Sequence, residues 1–229
     1  MTVKKVLFIF VLFAMAAVSA TSPAEAASNS NFTQVINAGV LSTDILDANR
    51  VAVTNPAVSM SAKAFSFNCY AAGTASVGTL GSDSERLYVS NPDGADNGWT
   101  LTLAATAGPS ATWVSANSNK FDFNDPTGAT AGCSDGTDAD AQAGQLAVNP
   151  TVANLTTDCT SCSLTGVSLG ASSAFSQGIT DSITLLNAGA SSSDVWRGFA
   201  TNIMASQTIP AETPSDTYSL GLTLTATAQ

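Results

Sequence analysis

The last segment of the chain alternates apolar and small polar side chains with a period of two. Alternation of this kind is typical of a β-strand that packs one face on a core and turns the other to water. The residues expected on the packed face are Tyr218, Leu220, Leu222, Leu224 and Ala226. The residues expected on the solvated face are Ser219, Gly221, Thr223, Thr225 and Thr227.

A second segment shows the same alternation, with Trp99, Leu101, Leu103 and Ala105 expected on its packed face. Further short strands are predicted at residues 32–36, 40–45, 64–68, 86–90, 111–115, 181–186 and 195–203. No window of eleven residues after the first 26 has a helical period. The sequence therefore predicts an all-β fold, an antiparallel β-sandwich of the immunoglobulin-like or jelly-roll-like kind, in a single domain over residues 27–229.

Turn-forming residues cluster at 91–98. Asn91-Pro92-Asp93-Gly94 combines a proline that fixes φ with a glycine that accepts positive φ, and Asp96-Asn97-Gly98 follows. We expect the chain to reverse here, so that the strand ending at Ser90 and the strand starting at Gly98 form a hairpin.

Residues 116–180 are poor in large apolar side chains and rich in Gly, Ser, Thr, Asp and Ala. They predict a loop-rich insertion in the domain, pinned by disulfide bonds; a separate second domain is the alternative. Long loops in a compact domain usually carry function or are disordered.

The N-terminus has the organisation of an export signal. Lys4 and Lys5 precede an apolar run over residues 6–18, and Ala24-Glu25-Ala26 offers a cleavage site, with Val18-Ser19-Ala20 as a competitor. The run is shorter than the roughly 20 residues that span a membrane. We therefore expect residues 1–26 to be a signal peptide and the mature chain to be secreted, extracellular and associated with the cell surface, without an integral membrane segment.

The expected mature chain is strongly acidic, with five basic and sixteen acidic residues and a net charge of −11. Binding to nucleic acid depends on Lys and Arg neutralising phosphates, so nucleic acid is excluded as a partner. Anionic lipid is disfavoured for the same reason, whereas cations and neutral or cationic polymers remain candidates.

All four cysteines follow the signal: Cys69, Cys133, Cys159 and Cys162. An even number in an exported chain predicts two disulfides, and three pairings are open. A redox-active pair at Cys159 and Cys162, or a zinc site of four thiolates, is the alternative.

A dense group of oxygen-bearing side chains follows Phe121. Calcium takes six to eight oxygen ligands, and acidic residues interleaved with glycine can wrap a loop around the ion. The pattern lacks the spacing of the helix-loop-helix calcium motif, and an acidic solvated loop is the alternative. The candidate calcium ligands are Asp122, Asn124, Asp125, Asp135, Asp138 and Asp140.

Little in the sequence points to catalysis. The chain has no histidine, which removes the Ser-His-Asp and Cys-His arrangements, and it has no Gly-x-Ser-x-Gly elbow. After residue 26 the only glutamates are Glu85 and Glu212, and nothing selects a pair of carboxylates for glycoside hydrolysis. We expect no enzymatic activity and no cofactor besides calcium.

Aromatic side chains offer either sugar-stacking platforms or core anchors, and the core role is the more common one. The residues in question are Trp99, Trp113, Trp196, Tyr70, Tyr88 and Tyr218.

Two short motifs resemble those of the WxL-domain surface proteins of bacteria with Gram-positive-type walls. The first is Trp99-Thr-Leu101, and the second is the terminal strand with Tyr218, Leu222 and Thr223. The second tryptophan and the final leucine of that family are replaced here by Leu224 and Ala226. The resemblance implies an exported, β-rich protein, held non-covalently on the cell wall, that binds peptidoglycan or other surface components.

The sequence therefore predicts a non-catalytic cell-surface module, attached non-covalently because no sortase-type motif or hydrophobic tail follows the last strand. Its expected partners are a cell-wall polymer or other surface proteins. One alternative is a self-assembling subunit of a surface filament or layer, in which exposed strand edges pair as in a homo-oligomer. A second alternative to the cell-surface module is a secreted hydrolase.

Overall fold

A computed structural model describes residues 33–94, 97–125, 132–136, 140–190, 192 and 195–229. The chain divides into two compact units, residues 1–37 and residues 38–229. Residues 33–37 of the first unit are irregular and exposed. All strands of the described residues belong to the second unit.

The second unit is all-β, which confirms the predicted class. About 43% of the described residues lie in strands or isolated β-bridges, and the only helical element in the described ranges is a 3-10 turn, Pro150–Val152. In chain order the strands are β1 Ser42–Leu46, β2 Ser76–Leu80, β3 Arg86–Asn91, β4 Trp99–Ala105, β5 Trp113–Ser115, β6 Lys120–Phe121, β7 Gln145–Asn149, β8 Asn154–Thr157, β9 Val167–Leu169, β10 Ser173–Ala174, β11 Ser182–Ala188, β12 Trp196–Thr201, β13 Ile203–Thr208, β14 Tyr218–Ser219 and β15 Leu222–Ala228.

Two four-stranded antiparallel sheets, with orders β1-β3-β12-β8 and β10-β7-β13-β2, share three chain segments. β12 leads into β13 through Asn202 alone, β7 leads into β8 through the 3-10 turn, and β2 leads into β3 through residues 81–85. Asn202 has a φ of 63°, a left-handed conformation that asparagine tolerates, and its N–H donates to the carbonyl oxygen of Gly81 over 2.8 Å. The three segments therefore pass together from one sheet into the other.

A third sheet, with the order β15-β4-β11-β9, faces these two and closes the sandwich. Its centre is β4, whose residues alternate between buried and half-buried, as the sequence predicts. Trp99 of β4 lies against Trp196 of β12, with ring centroids 5.1 Å apart and neither side chain exposed. One core cluster joins residues of all three sheets.

A fourth, small sheet has the order β14-β5-β6 and places the short strand β14 beside β5. Tyr218 is paired with Ser115, and Trp113 with Phe121. This sheet brings three aromatic residues from distant parts of the chain together, and it forms one side of the site described below.

The predicted hairpin across residues 91–98 is wrong. β3 pairs with β1 and β12, whereas β4 pairs with β15 and β11, so the chain crosses between sheets here. Gly98 nevertheless adopts the positive φ expected of a turn glycine. Its φ is 76°, and it lies close to the carbonyl oxygen of Ala188. Turn-forming residues indicate that the chain changes direction, but they do not determine which strand pairs with β3 or β4.

Two predicted strands are not formed within the described residues. Residues 33–36 and residues 64–68 contain no strand, and Phe32, the start of the first one, lies outside the described ranges. Conversely, residues 116–180 hold the strands β6 to β10 between long loops, and Leu146 and Val148 of β7 belong to the core. The loop-rich stretch therefore supplies part of the sandwich itself.

Both pairs of cysteines are joined: Cys69 with Cys133, and Cys159 with Cys162. The first disulfide ties the loop-rich stretch to the segment before β2, and the second closes a tight turn after β8. Among the residues described, no helix has the length and apolar character needed to cross a membrane.

Candidate functional site

A groove of about 410 Å³ runs between residues 58–65 and residues 213–218. Its floor contains Trp113 of β5 and Phe121 of β6, together with Gln207 of β13. Trp113 is half-buried, and so is Tyr218 at the rim, whereas Phe121 is buried. In this groove, aromatic rings remain partly open to solvent beside polar side chains.

Three of the four aromatic rings that line the groove, those of Trp113, Phe121 and Tyr218, form one contiguous cluster. Trp113 and Phe121 are stacked, with centroids 5.7 Å apart and an interplanar angle of 12°. Tyr218 meets Phe121 edge to face at 4.9 Å, and its hydroxyl donates to the carbonyl oxygen of Pro214 over 2.7 Å. Packing of this kind fixes the orientation of each ring, so the surface is rigid before any ligand binds.

Gln207 holds the floor of the groove in place. Its Oε1 accepts from Nε1 of Trp113 at 2.8 Å, and its Nε2 donates to the carbonyl oxygens of Asp122 at 3.0 Å and Thr208 at 2.8 Å. The side chain is 1% exposed. Sequence analysis missed this residue, because a glutamine inside a strand carries no local signal that it is buried.

Asp216 supplies a fixed negative charge on the rim of the groove. Nδ2 of Asn117 donates to its Oδ2 at 2.8 Å, and the N–H of Thr217 donates to its Oδ1 at 2.8 Å. Hydrogen bonding from the side chain of Ser115 above all, then from Thr217 and Asn117, lowers the pKa of Asp216 to about 2. The group is therefore ionised at any physiological pH.

The charge of Asp216 is expected to stabilise the fold in a pH-dependent way. Because the pKa of the folded state lies below the usual value of 3.8, the stabilisation is present above that value and is lost as the pH falls towards about 2. Thermal unfolding of the wild type and of Asp216→Asn between pH 5 and pH 2 should show a difference in midpoint that shrinks on acidification. A difference in unfolding midpoint that stays constant between pH 5 and pH 2 would contradict the lowered pKa of Asp216.

An apolar cavity of about 310 Å³ adjoins the groove and shares Trp113 and Tyr218 with it. It lies between β15, β1 and residues 56–60. The aliphatic side chains around it include those of Ile45, Leu80, Leu103, Leu220, Leu222 and Leu224.

The candidate calcium ligands occupy different environments. Asp122, Asn124 and Asp125 are almost fully buried, whereas Asp135 and Asp140 are exposed. The burial follows from main-chain pairing: the N–H of Asp122 donates to Ala143 at 2.8 Å, and that of Asp125 donates to Gly144 at 3.0 Å.

Asp138, the sixth candidate, lies outside the described residues. Within the described ranges, no three Cys, Asp or Glu side chains are grouped closely enough to hold a metal ion. Calcium binding by this segment stays a prediction.

The structure brings the two WxL-like motifs side by side. β15 runs antiparallel to β4, with Ala226 opposite Leu101 and Ala228 opposite Trp99. Trp99 and Leu101 are fully buried, whereas Leu222 and Thr223 are exposed and Tyr218 lies at the groove. The first motif is therefore part of the core, and Tyr218 is the motif residue that lines the groove.

Comparison with known proteins gives no match. The resemblance to WxL proteins accordingly rests on the motif residues alone. None of the protein-family models, curated proteins or solved structures compared with this chain matches it.

Proposed function

We propose that this chain is an exported, non-catalytic module that is retained non-covalently on the cell surface, with the groove at Trp113 and Tyr218 binding a wall polymer. The observation that carries the proposal is the rigid aromatic cluster, which is half open to solvent and lies beside fixed polar groups. The two disulfides are compatible with an extracellular location.

Sugar rings of wall polymers present apolar C–H faces and peripheral hydroxyls. Amphipathic aromatic side chains such as Trp113 and Tyr218 suit the former, and Asp216 and Lys63 at the same groove can hydrogen-bond the latter. The large negative charge of the chain disfavours anionic polymers, so a neutral or cationic polymer fits best. Peptidoglycan glycan strands are the candidate that the WxL resemblance also implies. Calcium bound near Asp122 and Asp125 would serve as a structural ion in this role.

The proposal is tested by co-sedimentation of the mature protein with purified cell wall. We expect the wild type in the pellet and an approximately tenfold weaker retention of Trp113→Ala, because the stacking platform is lost; base–aromatic stacking, a comparable contact, is worth about 1–3 kcal/mol. Ile179→Ala is the control, since Ile179 is 80% exposed and does not line the groove. Circular dichroism checks that each variant is folded.

Two results would refute wall binding through the groove. One is a wild-type protein that stays wholly in the supernatant. The other is a folded Trp113→Ala variant that is retained as well as the Ile179→Ala control.

A second candidate function, a self-assembling subunit of a surface filament or layer, is favoured by one feature. β15 is a seven-residue strand at the edge of its sheet, and β4 is its only strand partner among the described residues. Open edges of this length are templates for pairing with another chain.

A further inference from the structure

The outer edge of β15 presents a regular row of open backbone groups. The N–H of Thr106 donates to the carbonyl oxygen of Gly221, and the N–H of Gln229 donates to that of Gly98. The backbone N–H and C=O groups of the odd-numbered residues of β15 therefore point towards β4. The backbone groups of the even-numbered residues point away from β4, because the N–H and C=O groups of successive residues in a strand face opposite sides. No described backbone or side-chain group is hydrogen-bonded to that outer row, which consists of Leu222, Leu224, Ala226 and Ala228.

β15 itself has none of the sequence features that block pairing, and β1 lies near it without pairing with it. Edge strands are commonly blunted by lysine, proline, a bulge or short length. β15 has the sequence LTLTATA, without a charge or a proline, and its register with β4 is continuous over all seven residues. An edge strand of this sequence and length can act as a template for another strand.

The apolar cavity lies beside the same edge. Leu222 and Leu224 of β15 line one side, and Ile45 of β1 and residues 56–60 line the other. A strand added to β15 would carry alternate side chains into this cavity, while its backbone satisfies the open row. The edge and the cavity therefore form a single acceptor for an extended apolar segment.

The chain itself contains a segment with the required properties at residues 33–40. Val35, Ile36 and Val40 are 71%, 88% and 82% exposed, unusually high values for aliphatic residues. Within the described structure, residues 33–38 make no backbone–backbone hydrogen bond, and the first such bond joins the N–H of Gly39 to Pro92 over 2.9 Å. Among the described residues, the segment thus combines uncovered apolar side chains with backbone groups that make no hydrogen bond to another backbone group.

The length and pattern of this segment match the acceptor. Six residues before Gly39 reach about 20 Å when extended, close to the roughly 24 Å of a seven-residue strand. In a strand conformation Ile36, Ala38 and Val40 fall on one face, which suits the apolar cavity, and Val35 falls on the other.

We propose that residues 33–40 of one copy add as a strand to the outer edge of β15 in a second copy, with Ile36 entering the cavity beside Leu224. Repetition of this head-to-tail contact generates an open chain of subunits. The inference rests on the second function proposed above, self-assembly, and names its two contact surfaces.

The test uses two variants of the mature protein, each of which removes one half of the contact. Ile36→Asp places a charge on the donor face, where burial is unfavourable. Ala226→Pro removes an N–H that points away from β4, so it blocks the acceptor without breaking the existing ladder. Val152→Asp, at an exposed residue of the 3-10 turn, and Ala226→Ser, which keeps the N–H, are the matched controls.

Light scattering after size exclusion should show concentration-dependent polymers for the wild type and for both controls, and monomers for each of the two variants alone. Mixed together, the two variants should form a dimer of twice the monomer mass, because one still offers the donor and the other the acceptor. Folding of Ala226→Pro is checked by circular dichroism, and the donor variant leaves the sandwich untouched.

Three outcomes would overturn the proposal: a wild type that stays monomeric at every concentration, polymers of Ile36→Asp, or a mixture of folded variants without a dimer. The first of these also removes self-assembly as a function, whereas the other two, in the presence of wild-type polymers, remove only this contact. Wall co-sedimentation of monomeric Ile36→Asp reports separately on polymer binding by the groove.

Discussion

Replacing Trp99 by alanine is expected to lower the free energy of unfolding by about 3–5 kcal/mol, the range for removal of a large aromatic side chain from a core. Trp99 is fully buried and lies against Trp196 across the two layers of the sandwich. Loss of the indole leaves a cavity at the contact that joins β4 to β12. Equilibrium unfolding in urea, monitored by circular dichroism, measures the change.

Phenylalanine at the same two positions separates packing from hydrogen bonding. Nε1 of Trp99 has no acceptor among the described residues, whereas Nε1 of Trp196 donates to the carbonyl oxygen of Ser163 over 3.0 Å. Trp99→Phe keeps a ring and removes a buried donor that lacks a partner, so it should cost less than Trp196→Phe by about 1 kcal/mol. Equal losses in the free energy of unfolding for Trp99→Ala and Trp99→Phe would show that packing of the aromatic ring is not what Trp99 contributes.

The fold class was predictable because it depends on a local property. In β4 and β15 an apolar residue follows every polar one, and this alternation alone requires a sheet with one buried face. β2 and β7 escaped prediction because SVGTL and QLAVN are five-residue segments in which a glycine or polar ends obscure the alternation. Their burial depends on the neighbouring strand β13, which lies more than fifty residues further along the chain.

Strand pairing and the candidate site were not predictable, because both depend on contacts between distant segments. The turn at Asn91 and Gly94 is visible in the sequence, but the partner of β3 is β12, about a hundred residues away. The groove likewise needs Trp113 from β5, Gln207 from β13 and Tyr218 from β14. Of these three, only the aromatic residues stand out as candidates before the structure is known.

Removing the disulfide between Cys69 and Cys133 is expected to cost about 4 kcal/mol. The two residues are 64 apart in sequence, and chain entropy in the unfolded state makes a long closed loop the most stabilising. In a domain of this size the midpoint of thermal unfolding should fall by roughly 10 °C, since each kcal/mol corresponds to about 2–4 °C. The double variant Cys69→Ala with Cys133→Ala, compared with the wild type by calorimetry, provides the measurement.

The second disulfide provides an internal control. Cys159 and Cys162 are only three residues apart, so the same entropy relation gives about 2 kcal/mol for the double alanine variant. Sγ of Cys162 also accepts from the N–H of Arg197 at 3.2 Å, a weak bond that adds little to this loss. If removing the Cys159–Cys162 bond lowers the free energy of unfolding as much as removing the Cys69–Cys133 bond, or more, loop length does not determine which disulfide stabilises more. The unequal effects expected here follow from one physical difference: the first bond ties the loop-rich stretch to the segment before β2, whereas the second only closes a turn.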